Sequence, residues 1–593
     1  MSEETGFIDS NNREIAGIDM DEKIENQLNL SLSLTPEERE KSRDLDVGYD
    51  RQQNLWELII RYIGEISQIP VPEGGRLEAL SNEYAIAYLP EESIDAFSNL
   101  PQVIYMEKPK NLLLSDQAGI AASCILSVRD GQKGLHGDGT YVAVIDTGID
   151  IFHPDFIDDQ GNTVIETLWD QTIPGHPPEG FYEGSVYTKE EINRALKAPA
   201  AEGREIVPSR DTNGHGTHVA SICAGRQGVA DKSSLIVVKL GNATEQGFPR
   251  TTQLMTALEY VIRYAEAKGK PVSVNLSYGN NYGDHRGNSL LETYISQMAG
   301  QWQTAVCIGT GNEGASGRHR QGCLRQPEDV IFAVAPYEQS LNLQLWKNYV
   351  DEFRLWLQSP SGERREIQDQ EGRTDYRFGT TTVYVYYGSP TPYNRLQEIY
   401  FAFVPQGSEI ESGQWTIVME PGRIVRGDYY MWLPVSAGTN EGTRFLEPSL
   451  DLTLTIPSTA RSVISVGAYD VFYNSYASFS GRGDLNICME KPDIVAPGVG
   501  ILGASPGGGN TRMSGTSMAT PFVTGSAALL MEWGIVRGND PFLYGEKIKA
   551  YLQKGARELP GFSEYPNSQV GYGKLCVCLL YTSPSPRDST SSR

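Results

Sequence analysis

The stretch of the chain most suited to chemistry is "MSGTSMATP" (residues 513–521), which places Ser517 among small residues just ahead of the apolar run "FVTGSAALLMEW". A serine, a threonine and an early proline before an apolar run predict the N-terminus of a buried helix. One interpretation is a cap, in which Thr516 or Ser517 satisfies the first backbone N–H groups. The other is a nucleophile held at the positive end of a helix.

Two further residues have the types and positions that would activate a serine. Asp146 closes the apolar run "TYVAVID", at the carboxyl end of a predicted parallel strand, where α/β sheets collect their sites. His215 lies between two glycines in "DTNGHGTHVASICAG", at the start of another small-residue helix. Singly, the aspartate is more often a cap, and His215 with His218 binds a metal only if a third ligand exists. Together, the acid and the histidine supply the oriented base that a serine nucleophile needs.

A third segment, "GTGNEG", offers a hydrogen-bond donor for an oxyanion. The Asn312 amide and the Ser517 backbone N–H would provide two donors to a tetrahedral intermediate, and Gly311 allows close approach of the backbone. Asparagine in a glycine-rich turn is also a common turn former. Glu313 is expected on the rim, either favouring a basic substrate residue or simply solvated.

The elements that must position these residues are apolar runs without polar alternation. Such runs are typical of strands buried on both faces of a parallel sheet. They read "TYVAVID", "SLIVVKL", "PVSVNLS", "TAVCIGTG" and "SVISVGA". The amphipathic stretch "TTQLMTALEYVIRYAEAKG" between them predicts a crossover helix. The fold class is therefore predicted to be α/β, with a parallel sheet flanked by helices.

Two regions have other patterns. Strand-like runs around a short helical pattern predict a small α+β unit before the sheet, and short alternating runs with Gly/Pro/Ser turns predict a β-sandwich inserted within it. The predicted division of the chain is an acidic N-terminus (1–50), the α+β domain (51–115), the parallel-sheet domain (116–325 and 458–575), the inserted sandwich (326–457) and an atypical tail resembling translated cloning sequence (576–593).

Composition limits the partners. The chain has 593 residues and a net charge of −25, which disfavours nucleic acid and anionic membrane surfaces. The start, "MSEETGFIDSNNREIAGID", lacks the basic and apolar regions of a signal peptide, so synthesis in the cytoplasm is expected. The seven cysteines show neither disulfide nor zinc spacing, which favours a reducing compartment without metal or cofactor.

The motifs together resemble the signature segments of the subtilisin-like serine peptidases. In order they are "VAVIDTGID", "NGHGTHVAS", "GTGNEG", "ASFSGRG", "DIVAPGV" and "GTSMATP". The resemblance covers about residues 139–325 and 458–575. It implies that Asp146, His215 and Ser517 form a catalytic triad, in the chain order of that family. It also implies that Asn312 lines the oxyanion hole and that His218 is a structural neighbour.

The same resemblance implies a substrate cleft. The segment "NLSYG" is similar to the edge with which the family pairs an extended substrate, so Ser277, Tyr278 and Gly279 would line it together with Gly311. Asp155 matches one ligand of a family calcium site, but the loop that carries the others is missing, so no metal is expected.

Two features are similar to the Csp-type proteases of spore-forming clostridia. The segment "VIYMEKPKNLLLS" resembles the end of a propeptide, and the inserted sandwich, with "LWDQTIPG" and "IVPSRDTNGHGT", resembles their central jelly roll. This implies a self-processing zymogen whose partners are its own prosegment and a protein or peptide substrate, with deposition in the spore and activation of a germination hydrolase as one implied role. The alternative is a catalytically silent or self-inhibited binding protein on the same fold.

Overall fold

The structure contains two compact units, residues 1–114 and 115–593. A computed structural model describes residues 23–25, 28, 31–32, 35–36, 48–50, 53–80, 83–108, 119, 121–129, 134–241, 249–301, 303–388, 394–485 and 490–577. The predicted N-terminal segment 1–50 and the predicted tail therefore lie largely outside the described residues.

The first unit is an antiparallel sheet with one helix, as the α+β pattern predicts. Its elements are β1 (Tyr49–Asp50), β2 (Leu55–Tyr62), β3 (Arg76–Leu80), β4 (Tyr84–Pro90), α1 (Ile94–Ser98) and β5 (Val103–Glu107). The strand order is β1–β2–β4–β3, and β5 also pairs with β2. Alternate residues of β2, such as Trp56, Leu58 and Ile60, are fully buried on one face in the core of this unit.

The second unit begins with the parallel strands and their crossover helices. The elements are α2 (Ile125–Arg129), β6 (Tyr141–Asp146), β7 (Ile165–Asp170), β8 (Ser185–Thr188), α3 (Lys189–Lys197), α4 (Ala200–Ile206), α5 (His215–Ala224), β9 (Ser234–Lys239), α6 (Thr251–Ala267), β10 (Val272–Leu276), α7 (Leu290–Ala299) and β11 (Thr304–Gly309). Every residue of β6, β10 and β11 is buried, because helices cover both faces of the sheet.

An all-β insertion follows β11. Its strands are β12 (His319–Cys323), β13 (Glu328–Val334), β14 (Leu341–Asn348), β15 (Phe353–Gln358), β16 (Arg364–Ile367), β17 (Gly372–Phe378), β18 (Thr381–Tyr387), β19 (Leu396–Pro405), β20 (Gly413–Pro421), β21 (Asp428–Trp432) and β22 (Arg444–Phe445). They form two antiparallel sheets, β12–β21–β14–β19–β18–β17 and β16–β15–β20–β13–β22, with one shared core. The strands thus occupy residues 319–445, where the sequence predicted a sandwich over 326–457.

The chain then returns to the parallel sheet. The remaining elements are β23 (Ile464–Asp470), β24 (Ser475–Tyr476), β25 (Ile494–Pro497), β26 (Ile501–Ser505), β27 (Gly509–Met513), α8 (Thr516–Met531) and α9 (Gly545–Gly555). The completed sheet has nine strands in the order β24–β23–β11–β10–β6–β9–β7–β8, with β25 also on β23. Ile145 pairs with Leu276, and Leu276 with Ile308, so β6, β10 and β11 end at the same edge.

Helix α8 forms the centre of the larger core. Together with the π-turn that follows it, it is the one helix in the described part of the chain that is long and apolar enough to cross a membrane, and most of it is buried inside the domain. A helix that is apolar on all sides is explained by burial among other elements. It packs on α5, β10 and β11.

One cysteine expectation is wrong. Cys124 and Cys576 form a disulfide across a sequence separation of 452 residues, where the spacing predicted no pairing. Cys576 and Val577 are both buried, Val577 in the larger core, although the sequence division assigned them to the tail. Among the described cysteines, Cys223 and Cys307 are free and buried, and Cys323 is free and exposed.

Candidate active site

The site begins with an aspartate and a histidine held by neighbouring elements. Asp146, the last residue of β6, is fully buried, and His215, the first residue of α5, keeps 25% of its side chain exposed. His215 Nδ1 lies 2.7 Å from Asp146 Oδ1, and because a carboxylate only accepts, Nδ1 carries the proton. The Thr147 N–H donates to the same oxygen at 2.8 Å. This pairing leaves Nε2 of His215 free to act as a base.

A second buried carboxylate, Asp211, joins the end of β6 to the first turn of α5. Its Oδ1 accepts a hydrogen bond from the Thr147 hydroxyl at 2.9 Å. Its Oδ2 accepts from the Thr217 N–H at 2.8 Å and from the Thr217 hydroxyl at 2.6 Å. Asp211 therefore holds the two elements that carry Asp146 and His215. Asp211 was not among the residues predicted from the sequence, although a carboxylate just ahead of a helix is a recognisable N-terminal signal.

Close approach of α5 to β6 requires a glycine at position 216. A Cβ there would lie 2.2 Å from the Gly148 carbonyl oxygen and 3.2 Å from Asp146 Cβ. Any side chain at Gly216 would push α5 away from the strand, and the Asp146–His215 hydrogen bond would lengthen.

The surroundings of His215 favour its protonated form. Burial alone would lower the pKa of the imidazole, but the charge and hydrogen bond of Asp146 raise it, and the charge of Asp211 raises it further. The net effect is a pKa above the ordinary value. When a histidine base takes up a proton it becomes an imidazolium, and the negative charge of the neighbouring Asp146 stabilises that imidazolium.

Ser517 is the second residue of α8 and is half-buried. The helix begins after Gly515, so neither Thr516 nor Ser517 is its N-cap, and the capping interpretation is wrong. The start of α8 contacts the segment after β11, and α5 starts at the end of β6, so both helix starts lie at the carboxyl edge of the sheet. Ser517 is thereby placed at the same edge as the Asp146–His215 pair.

Asn312 is exposed, and its amide is oriented by the residue before Ser517. Its Oδ1 accepts from the Thr516 N–H at 3.0 Å and from the Thr516 hydroxyl at 3.3 Å, which assigns Nδ2 as the available donor. The Thr516 hydroxyl oxygen in turn accepts from the Gly311 N–H at 3.1 Å. Within the described part of the chain, no acceptor is bonded to the Ser517 N–H, one of the unpaired donors of a first helical turn. Two donors are thus available beside the hydroxyl.

The predicted substrate edge follows β10. Ser277, Tyr278 and Gly279 extend beyond the strand, and the Asn275 amide donates to the Ser277 hydroxyl at 3.0 Å. Tyr278 packs on the core behind the sheet. Burial raises the pKa of the Tyr278 hydroxyl, and the negative charges of Asp146 and Asp211 raise it further.

Thr455, which the sequence analysis did not identify, separates the two predicted walls of the cleft. A Cβ on Gly279 would lie 2.4 Å from Thr455 Oγ1, and a Cβ on Gly311 would lie 2.4 Å from Thr455 Cγ2. Both positions therefore have to be glycine while Thr455 stands between them. The contact could not be predicted from the sequence, because Thr455 follows the insertion and is far along the chain from both glycines.

The expectation that Glu313 is a rim carboxylate is wrong. Its side chain is buried, with 6% exposure, and its Oε1 accepts from the Ser436 N–H at 3.1 Å and from the Ser436 hydroxyl at 2.7 Å. Ser436 belongs to the segment that follows β21 of the insertion. Glu313 therefore connects the loop carrying Asn312 to the insertion and does not face a substrate side chain.

The side chains of His218 and Asp155 form hydrogen bonds to backbone groups of neighbouring segments. His218 is fully buried, its Nε2 donates to the carbonyls of Ile501 and Thr511 at 3.1 Å each, and burial lowers its pKa to about 4. Asp155 accepts from the Arg226 N–H at 3.0 Å, in the turn after α5. Among the described residues, no group of three or more His, Cys, Asp or Glu side chains is arranged to hold a metal ion.

Comparison with known proteins matches both units. Residues 22–110 match the Csp protease B prodomain, and residues 137–344 and 409–573 match the subtilase family. The CspB protease of Clostridium perfringens has a similar structure, with a TM-score of 0.73 and 38% identity over 78% of this chain and 97% of that one. The predicted subtilisin-like fold with an N-terminal prodomain is therefore confirmed.

More distant relatives share only parts of their length with this chain. The PII-type proteinase of Lacticaseibacillus paracasei is 24% identical over 68% of this chain and 23% of its own length. The serine protease AprX of Bacillus subtilis is 37% identical over 17% of this chain and 26% of its own length. The chain thus spans about a quarter of these curated relatives. Because the subtilase match covers more than half of its 593 residues, the chain belongs to the subtilase family of subtilisin-like serine peptidases.

Proposed function

We propose that this chain is a serine endopeptidase that uses Ser517 as nucleophile, His215 as general base and acid, and Asp146 as the carboxylate that orients the histidine. The observation that carries the proposal is the 2.7 Å hydrogen bond from His215 Nδ1 to a fully buried Asp146. A buried carboxylate bonded to a partly exposed imidazole at the edge of a sheet is the arrangement that activates a serine hydroxyl.

The proposed hydrolysis of a peptide bond has two steps, acylation of Ser517 and hydrolysis of the acyl-enzyme. In the first, Ser517 Oγ attacks the scissile carbonyl while His215 Nε2 takes its proton, and the Asn312 amide and Ser517 N–H bind the resulting oxyanion. His215 then gives the proton to the leaving amine, and an acyl-enzyme forms. In the second step a water loses its proton to His215 and attacks the ester carbonyl. The bond from the acyl carbon to Ser517 Oγ then breaks, His215 returns the proton to Oγ, and the carboxylic acid product leaves.

The substrate is a protein or peptide in extended form. Ser277–Gly279 continue from β10 without joining a neighbouring strand until Asn280 pairs with Ile456. An extended backbone can add to such an edge, and this kind of recognition depends more on the main chain than on side chains.

The rival proposal is a binding protein on the same fold that does not cleave. Profiling a peptide library with the purified chain, beside labelling by a fluorophosphonate probe, distinguishes the two. Cleavage products and labelling of Ser517 are expected. A chain that neither cleaves any peptide nor reacts with the probe would be the silent or self-inhibited protein.

Asn312→Ala should lower kcat by about 10²–10³-fold, which is roughly 2.7–4 kcal/mol of transition-state stabilisation, and leave KM little changed. The reason is that the Nδ2 donor meets the oxygen only once that oxygen carries negative charge. Steady-state kinetics on a peptide from the library separates kcat from KM. A variant that lost only affinity would place Asn312 in substrate binding instead.

Activity should fall at acid pH as His215 takes up a proton, because only the neutral imidazole can act as base. Asp211→Asn removes one of the charges that raise this pKa, so the acid limb of kcat/KM should move to lower pH by less than about one unit. The measurement is kcat/KM against pH for both proteins. An acid limb that stays in place while kcat drops would mean that Asp211 acts on structure alone.

The chain should also cut its own prosegment between about Lys110 and Gln117, a window outside the described residues. The support is that the Csp protease B prodomain match ends at residue 110. A covalently attached segment reaches the cleft at high effective concentration, so cleavage needs no optimal sequence. N-terminal sequencing of wild type and Ser517→Ala tests this. A new terminus that persists in the variant implies another protease, and no new terminus in either implies that the prosegment stays attached.

The similarity to the Clostridium perfringens CspB protease supports a finer proposal: that the chain is made in the cytoplasm, deposited in the spore and activates a spore-germination hydrolase. Incubating the purified chain with the hydrolase precursor from spores, beside Ser517→Ala, tests it. Shortening of the precursor by the wild type alone is expected.

A further inference from the structure

A large cleft in the described part of the second unit lies away from the proposed catalytic residues, between the insertion and the parallel-sheet domain. It has a volume of 1710 Å³. Its walls come from β12, β21 and the start of β19 on one side, and from the segments before α7, β23 and β25, and from α9, on the other. None of the residues assigned to catalysis or to the substrate edge lines it.

Positive charge predominates in this cleft, in contrast to the chain as a whole. Six arginine and lysine side chains and four carboxylates line it, while the whole chain carries a net charge of −25. Two of the four carboxylates are paired with cations, and Asp484 and Glu490 accept from the Gln321 amide at 3.4 Å and the Tyr572 hydroxyl at 3.1 Å. Asp493 is bonded to Lys491 at 3.3 Å and to Lys549 at 3.0 Å, and Asp428 to Arg426 at 3.3 Å.

Three arginines remain without a carboxylate partner among the described residues: Arg286, Arg395 and Arg461. The backbone beside Arg286 lies close to Arg461, since a Cβ on Gly287 would lie only 3.5 Å from Arg461 Cγ. The guanidinium of Arg286 lies 4.8 Å from the centre of the Tyr430 ring, and its buried Nε has no hydrogen-bond partner among the described residues. Three arginine side chains that line one cleft without a carboxylate partner among the described residues favour an anionic ligand there.

We propose that this cleft is a docking site for a short acidic segment of a partner protein. A guanidinium binds a carboxylate in a bidentate manner, so the arginines of this cleft suit the side chains of aspartate and glutamate. The cleft exceeds the 300–1,000 Å³ or so of common small-ligand pockets, so it accommodates several residues of an extended peptide.

Screening by dissolved salt explains how a chain with a negative net charge can bind an acidic ligand. At physiological ionic strength charges more than about 8 Å apart are largely screened, so a segment inside the cleft experiences the local arginines more than the distant acidic surface. A long polyanion such as nucleic acid would extend beyond the cleft and meet that surface. The cleft therefore fits a short acidic segment better.

The test uses fluorescein-labelled decaglutamate and fluorescence anisotropy, with the full chain carrying Ser517→Ala so that the peptide is not cut. Saturable binding that weakens with added salt is expected. Arg286→Gln combined with Arg461→Gln should weaken it at least tenfold. The matched control is Arg354→Gln with Arg423→Gln, which removes the same charge from exposed arginines of the insertion outside the cleft. The control should bind as tightly as the parent.

A second measurement does not depend on the double variant folding. Cys323 is exposed and lines the cleft, so bound decaglutamate should slow its alkylation by iodoacetamide, read by mass spectrometry of the peptide that contains it. Unchanged alkylation, absent binding, or equal binding by the double variant would overturn the proposal. So would displacement by millimolar inorganic phosphate, which indicates a free-anion site, or tighter binding of a labelled ten-nucleotide oligothymidine, which indicates a nucleic-acid site.

Discussion

Replacing Ser517 with alanine is expected to lower kcat by about 10⁶-fold without disturbing the fold. The hydroxyl is the only group that would become covalently bonded to substrate, and without it His215 has no proton to take. The side chain is half-buried at the start of α8, so its loss leaves no sizeable cavity. Kinetics with a peptide substrate measure the effect, and thermal unfolding followed by circular dichroism checks the fold.

A neighbouring serine provides the control for Ser517→Ala. Ser514 is exposed, and its hydroxyl accepts a hydrogen bond from the Gly500 N–H at 2.9 Å, a contact outside the catalytic group. Ser514→Ala should therefore retain nearly the whole activity. Wild-type hydrolysis by Ser517→Ala, or an equal loss in both variants, would contradict the assignment of Ser517 as nucleophile.

The second large effect is expected for Asp146→Asn, which should lower kcat by about 10⁴-fold. An amide in place of the carboxylate stabilises the other tautomer of His215, in which Nε2 carries the proton and cannot act as base. The positive charge formed on the imidazole during the reaction also loses its partner. The loss is smaller than for the serine because the nucleophile and the oxyanion donors remain.

Asp150→Asn is the matched control for this substitution. Asp150 lies four residues further along and accepts from the Gly507 N–H at 2.8 Å, in a turn that does not touch His215. Its variant should keep the wild-type kcat, as measured on the same peptide. An Asp146→Asn protein that unfolds at the same temperature yet retains full activity would show that the carboxylate does not orient the base.

Prediction from sequence succeeded where a residue and its neighbours along the chain decide the outcome. The runs that became β6, β9, β10, β11 and β23 lack polar alternation, because nearly all residues of these strands are buried on both faces of the sheet. Asp146 and His215 were placed correctly at the end of a strand and at the start of a helix. Their short motifs determine both the local backbone and the chemistry.

Prediction failed where contacts join distant parts of the chain. Glu313 is buried only because Ser436, more than a hundred residues later, bonds its carboxylate. Thr455 reaches the two glycines of the cleft across the insertion, and Cys124 meets Cys576 across most of the chain. The edge strand β12, "HRQGC", was missed because an edge strand that is only partly buried carries polar residues.

The insertion also affects the order in which the chain can assemble. Strands β11 and β23 are neighbours in the sheet, with Cys307 beside Ile464, although the whole insertion separates them in sequence. The Phe445 N–H donates to the Gly317 carbonyl at 2.9 Å, so the insertion holds its own two ends together.

Closing a flexible loop costs about 0.6 kcal/mol for each doubling of its length. If the insertion folds first, the flexible chain between β11 and β23 becomes several-fold shorter, which lowers the closure cost by about 1.5 kcal/mol. The two sheets would then act as a splint for the nascent polypeptide: an early-folding nucleus that brings β23 to β11 and completes the sheet at whose edge Asp146, His215 and Ser517 lie.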